Sequence, residues 1–229
     1  MLAFPRRLRT AFAIAVTAAI AVANPAAADV NSGAELTLQF PQDVAATYFL
    51  DSWGWSRPGG RGHRGNDLMA DKMAPVYAAA DGVVERVADS GMSGRYLVID
   101  HGDGWETYYL HLNDDDPGTD NGAADWSLTL GPGIEEGARV AAGQHIGYVG
   151  DSGNAEGTDP HTHFELHHGG SAIDPYPYLE TAYRVALAAA AAGIDPGVND
   201  VLTELGESTW LGDELMFDLE EVVANLGSV

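Results

Sequence analysis

The sequence predicts an all-β domain, an antiparallel β-sandwich or partly open barrel, followed by a C-terminal helical extension. Three observations carry this. From about Thr37 to Tyr178, short apolar and β-branched runs are separated by glycine-rich turns. Over the same stretch no apolar stripe recurs at the 3.6-residue period for a useful length. After Leu179 the character changes, and Ala182 to Ala192 is rich in strong helix formers.

The elements follow in order. Val76-Tyr77-Ala78, Gly82 to Val87 and Tyr96 to Asp100 have strand composition. His101-Gly102-Asp103-Gly104 is a hairpin signal, with glycine where positive φ is wanted. Trp105 to Leu112 alternates as the returning strand, and Gly143 to Gly150 and His163 to Leu166 supply two more. Between Asn113 and Glu136 lies a long acidic insertion. Asp114-Asp115-Asp116 and Asp120 do not match the spacing of a calcium loop, and a solvated loop is expected there. The helix at 182–192 is stopped by Gly193 and Pro196. Asp200 to Leu205 is a short helical candidate. Asp213 to Leu226 sets Leu215, Leu219, Val222, Val223 and Leu226 on one stripe with acids opposite. Packing of that stripe on the β domain is the expectation, and docking of a partner is the alternative.

The first 28 residues read as an export signal. Arg6, Arg7 and Arg9 form a positive start, Ala11 to Ala23 is almost wholly apolar, and Ala26-Ala27-Ala28 offers a cleavage site. The apolar run is short of the ~20 residues that span a bilayer, so cleavage is expected over anchoring. Without this leader 8 basic residues face 34 acidic ones, a net charge of −26, and Lys72 is the only lysine. Such a chain is repelled by nucleic acid and by anionic membrane surfaces. There is no cysteine, hence no disulfide, and any metal must be held by His, Asp or Glu.

Three histidine-bearing segments carry chemical meaning. In Gly62-His63-Arg64-Gly65-Asn66-Asp67, His63 and Asp67 can converge on one metal if the chain curls, and Gly65 eases the curl. The same spacing also describes a surface histidine near a surface aspartate. In His161-Thr162-His163-Phe164-Glu165-Leu166, strand geometry sends His161 and His163 to one face and Thr162 and Phe164 to the other. In Tyr108-Tyr109-Leu110-His111-Leu112, alternation puts Leu110 and Leu112 on the core face and Tyr109 with His111 on the wet face. Tyr109 is then a candidate to hydrogen-bond a transition state. His101, His145, His167 and His168 read as solvated surface histidines. Trp53 and Trp55 either line a cleft or pack in the core.

Taken together, and in this order, the three segments resemble the signature of the lysostaphin and LytM type zinc endopeptidases, which cut bacterial peptidoglycan and have a duplicated hybrid motif fold. The connecting text resembles the family too: Ala80 to Val84, the Tyr96 to Gly104 hairpin, Gly137 to Gly153, and the exit Ala172-Ile173-Asp174-Pro175. The likeness runs from about Pro41 to Leu179 and leaves out the leader, most of the acidic insertion and the tail. Departures are small: Thr162 stands where many relatives have Leu, and Asp159-Pro160 where Gly-Pro is common.

The resemblance implies a zinc metallopeptidase domain over 37–179, between a signal peptide at 1–28 and an acidic helical extension at 180–229. It implies one zinc ion held by His63, Asp67 and His163, with His111 and His161 as catalytic histidines. Three protein ligands and one open position are the pattern of a catalytic zinc. The expected protein is a secreted monomer of the periplasm or cell wall that hydrolyses peptidoglycan stem peptides or cross-bridges. It has no nucleic acid partner and no membrane association after signal cleavage. The alternatives are a regulator that has lost catalysis and activates a separate cell-wall amidase, or an adhesion module indifferent to chelators.

Overall fold

The computed structural model describes residues 36–191. The expected leader at 1–28 and the helical candidates at 200–205 and 213–226 lie outside the described residues. Eleven strands and one α-helix make up the described part: β1 Ser56–Arg57, β2 Arg61–Gly62, β3 Asn66–Met69, β4 Pro75–Tyr77, β5 Gly82–Ser90, β6 Gly94–Gly102, β7 Trp105–Leu112, β8 Arg139–Val140, β9 His145–Tyr148, β10 His161–His168, β11 Ser171–Ile173 and α1 Tyr176–Ala191. All pairings are antiparallel. The main sheet runs β11-β10-β7-β6-β5-β8, while β4 and β9 form a second small sheet and β1 and β2 a hairpin. The sheets stay open, so the partly open all-β architecture is the one observed.

The site depends on β10, whose one edge is shared. β7 runs along its other side from His163 to His168, whereas β3 pairs with His161–Phe164 and β11 with Leu166–His168. This register sets His163 directly opposite Asp67 on β3 and opposite Leu110 on β7. Directly opposed residues on antiparallel strands share a face. Thr162, Phe164 and Leu166 point to the other face and are fully buried, with Leu68, Leu97, Ile99, Val76 and Ile146 in the same core.

The β6–β7 hairpin turns on Asp103 and Gly104, both at positive φ, the Asp-Gly two-residue turn that matches strand twist. The helix begins earlier than its alanine-rich stretch predicts. Asp174 Oδ1 accepts from the Tyr176 N–H, and prolines at 175 and 177 suit the first turn, where no intrahelical donor is required. Leu179 and Ala182 of α1 join the core, and Tyr183 packs edge-on against Phe40 and Phe49. No helix among the described residues is long and apolar enough to cross a membrane.

The acidic insertion is not simply solvated. Asp115 is buried and accepts backbone N–H bonds from Asn121 and Gly122, closing the loop on itself. Lys72 Nζ lies 2.7 Å from Asp115, Asp120 and Asp151, so the one lysine ties the insertion to the segment after β9. The pattern of charges concealed this, because an inward aspartate looks like its neighbours until its cation is located. Burial raises the Asp115 carboxyl, but hydrogen bonds from Lys72 and Gly122 outweigh it and hold it below its ordinary value. Lys72→Met is expected to cost about 3–5 kcal/mol, since it leaves buried carboxylates without their cation. Because the folded pKa of Asp115 is depressed, its contribution is present above the unfolded value near 3.8 and fades as pH falls through the folded one. Urea midpoints at pH 7 and pH 3 check both statements: the gap between wild type and variant narrows in acid.

Candidate metal centre and its cleft

β2 leads into His63, and four residues later β3 presents Asp67 beside His163 of β10. His63 Nε2, Asp67 Oδ1 and His163 Nδ1 stand 2.9–3.0 Å from one another. The protons around them are fixed by neighbours. His63 Nδ1 lies 2.9 Å from the Ser52 carbonyl, which can only accept, so the ring N–H is there and Nε2 keeps its lone pair. His163 Nε2 lies 3.2 Å from Glu165 Oε1, which leaves Nδ1 as the inward donor atom. Arg57 donates to Asp67 Oδ2, leaving Oδ1 to face both rings. Burial pushes the Asp67 carboxyl up, but the close approach of the His163 and His63 rings outweighs this and holds it far below the carboxylate range. Glu165 is likewise raised by burial, then brought down to about 2 by His163 and His167.

This donor set fits a divalent ion. Donors on a tetrahedral zinc at ~2.0–2.1 Å stand about 3.3–3.4 Å apart, so a small opening of the triangle admits the ion. Among the described residues no fourth His, Asp or Glu joins this group, so a tetrahedral ion held there would keep one position for water or substrate.

His111 and His161 flank the triangle. Their ring centroids are 5.2 Å apart, and that of His111 is 5.9 Å from His163. His111 Nδ1 donates to the Ser152 carbonyl and His161 Nδ1 to the Asp159 carbonyl, so each has Nε2 available as acceptor. Burial, then the neighbouring His161 and His163, lower the His111 pKa to about 4 and keep the ring neutral at neutral pH.

The five expected side chains therefore converge on one cleft of about 1090 Å³, but β7 reaches it differently from the expected alternation. Tyr109, not Leu110, faces the core. It is fully buried, packs edge-on against Phe164, and its hydroxyl accepts from the Ala79 N–H. A transition-state role for Tyr109 is thereby excluded. Leu110 lines the cleft, and so does His111. Two consecutive residues share a face because His111 has φ of 61° and sits in a bulge, where three steps of β7 oppose two of β6. Histidine is among the residues that tolerate this region, and bulges re-aim side chains.

Other expectations are corrected. His101 is buried, its Nδ1 donating to the Asp81 carbonyl, and burial lowers its pKa. His167 stacks on Tyr108 and shares Glu165 with His163, so it belongs to the network that orients the centre. Trp53 and Trp55 do not line the cleft, and Trp55 is 55% exposed. Arg57, which holds Asp67, lies on a hairpin ten residues earlier, where no local spacing ties it to the histidine segments. Gly65 has its own reason: a Cβ there would lie 2.2 Å from the Phe164 carbonyl and 2.9 Å from His163 Nε2. Close approach to β10, rather than a curl, demands glycine. Gly65→Ala is expected to displace the His163 ring and weaken metal binding about 10–100-fold, the usual cost of disturbing what orients a ligand; competitive chelator titration reads it.

Fold and site together define a class, a β-sheet protein with a buried His/Asp donor group that could hold a divalent ion. The family model for peptidase family M23 matches residues 61–122 and 126–175. A Haemophilus influenzae protein described as an uncharacterized metalloprotease is 35% identical over 116 residues, covering 50% of this chain and 20% of its own length. The Vibrio cholerae peptidoglycan DD-endopeptidase ShyA is 36% identical over 104 residues, covering 45% of this chain and 20% of its own. Among solved structures, the antimicrobial peptidase lysostaphin from Staphylococcus simulans aligns with a TM-score of 0.50 at 25% identity, covering 66% of this chain and 56% of that one. The chain belongs to peptidase family M23, a family of metallopeptidases. It spans only about a fifth of the length of the two curated relatives.

Proposed function

We propose that this protein is an exported zinc-dependent endopeptidase that hydrolyses peptide bonds in the stem peptides or cross-bridges of peptidoglycan. One zinc ion is held by His63, Asp67 and His163, and His111 and His161 are the catalytic histidines. The observation that carries this is the convergence of three lone-pair atoms, each with its tautomer or free oxygen fixed by a neighbour, beside two further histidines anchored through Nδ1. The substrate class is supported by ShyA, whose name gives peptidoglycan as what that protein acts on. Action on the wall places the protein outside the cytoplasm, in the periplasm or cell wall.

The bound ion supplies Lewis acidity, which polarises a scissile carbonyl and acidifies water. The chain supplies the rest. His111 Nε2, kept unprotonated by burial, takes the proton of the attacking water. His161, 12% exposed at the cleft, has its Nε2 placed to share that proton. The Ser152 and Asp159 carbonyls hold both rings in position throughout. His163 keeps its orientation through Glu165 and His167.

The test is zinc content and release of soluble muropeptides from purified sacculi by the mature protein. Stoichiometric zinc with chelator-sensitive release supports the reading. Zinc-loaded protein that never cleaves a wall peptide overturns it in favour of an amidase-activating regulator, and wall binding indifferent to chelator favours an adhesion module. Metal removal should also lower thermal stability, since a ligand present at ~100 times its dissociation constant contributes about 2.7 kcal/mol. Calorimetry with and without chelator reads that loss, and added zinc reverses it.

A further inference from the structure

Outside the first 28 residues the chain has eight basic residues against 34 acidic ones, yet three of the eight, Arg57, Arg61 and Arg64, line the cleft. Arg57 is engaged with Asp67 and His63. Arg61 and Arg64 are exposed and make no ion pair with any described residue. Arg61 reaches only the thioether of Met92, a weak acceptor, and Arg64 has no hydrogen-bond partner among the described residues. A protein with four acids for each base has ample carboxylates to satisfy two guanidinium groups, yet among the described residues none pairs with either. Both residues lie within two positions of His63, so their backbones stay within about 7 Å of that donor's. The rest of the cleft lining holds no other lysine or arginine.

From this juxtaposition we propose that Arg61 and Arg64 form an anion subsite that takes a free carboxylate of the substrate close to the bond being cut. The proposal rests on the peptidase reading above and deepens it. Guanidinium groups match carboxylates in bidentate geometry. The acidic remainder of the chain repels extended polyanions, so the ligand is a compact anion carried on an otherwise weakly charged peptide. The subsite selects wall peptides whose acidic residues are ionised over those in which they are amidated.

The experiment compares two synthetic peptidoglycan peptides that differ only in one non-scissile carboxylate, free in one and a carboxamide in the other. Zinc-loaded wild type is expected to prefer the carboxylate peptide about 10- to 100-fold in kcat/KM, mainly through KM, as charge-assisted bonds imply. Raising salt should narrow the preference. In the Arg61→Gln/Arg64→Gln double variant the ratio should fall to near one. Arg139→Gln, on β8 and away from the cleft, removes the same kind of charge and should leave the ratio as in wild type. A wild-type ratio near one, or a preference that survives the double substitution, overturns the subsite. If the zinc-loaded protein cuts neither peptide, the peptidase reading fails separately, and calorimetric binding of the same two peptides still decides the subsite. Carboxylate-selective binding lost in the double variant sustains it, and equal binding overturns it.

Discussion

Replacing His163 by alanine is expected to abolish metal binding and hydrolysis together. Its Nδ1 lies 2.9 Å from both His63 Nε2 and Asp67 Oδ1, so it closes the triangle that the other two donors begin. Two donors on adjacent short segments remain, and neither β3 nor β10 offers a replacement at the vacated register position, where Asp67 then faces a methyl group. Disturbing residues that merely orient a ligand costs 10–100-fold in metal affinity, so removing a ligand is expected to cost more than about 100-fold. Zinc per protein by mass spectrometry, and muropeptide release from sacculi, check this. Retention of stoichiometric zinc by the variant would remove His163 from the centre.

His111→Ala separates chemistry from metal binding. The ring stands beside the triangle without joining it, and the group of mutually close donor atoms consists of His63, Asp67 and His163. Zinc content should therefore match wild type. Activity should fall by about 10²–10⁴-fold, the usual worth of a positioned proton acceptor. The expected loss lies mainly in kcat, because an interaction made in the transition state is what disappears. A variant that keeps zinc and most of its turnover would assign the proton transfer to His161 instead, and His161→Ala is the matching measurement.

How these five side chains became visible differs from one to the next. His161 and His163 follow from strand alternation, a rule with period two that needs no tertiary information once the strand is identified, and Thr162 and Phe164 fall on the buried face as that rule requires. Regular alternation failed on β7, because a single residue at positive φ shifts every later side chain to the other face. No local signal marks His111 as that residue: the bulge arises where β6 and β7 must stay paired around the Ser93 carbonyl, which accepts from the His111 N–H. Arg57 and Glu165 carried no visible role for a similar reason. Their meaning lies in which atom they leave free on a neighbour, and that requires coordinates.

Residue order alone, then, determined the all-β class, the histidine segments and the family they resemble. Periodicity, turn chemistry and short spacings are written within a few residues of chain. Tertiary structure decided which atoms face one another. Strand register sets Asp67 against His163, the segment between β2 and β3 brings His63 within 3.0 Å of both, and three carboxylates gather on Lys72. Such contacts join segments up to a hundred residues apart, and their geometry is fixed only when the whole sheet closes around its core.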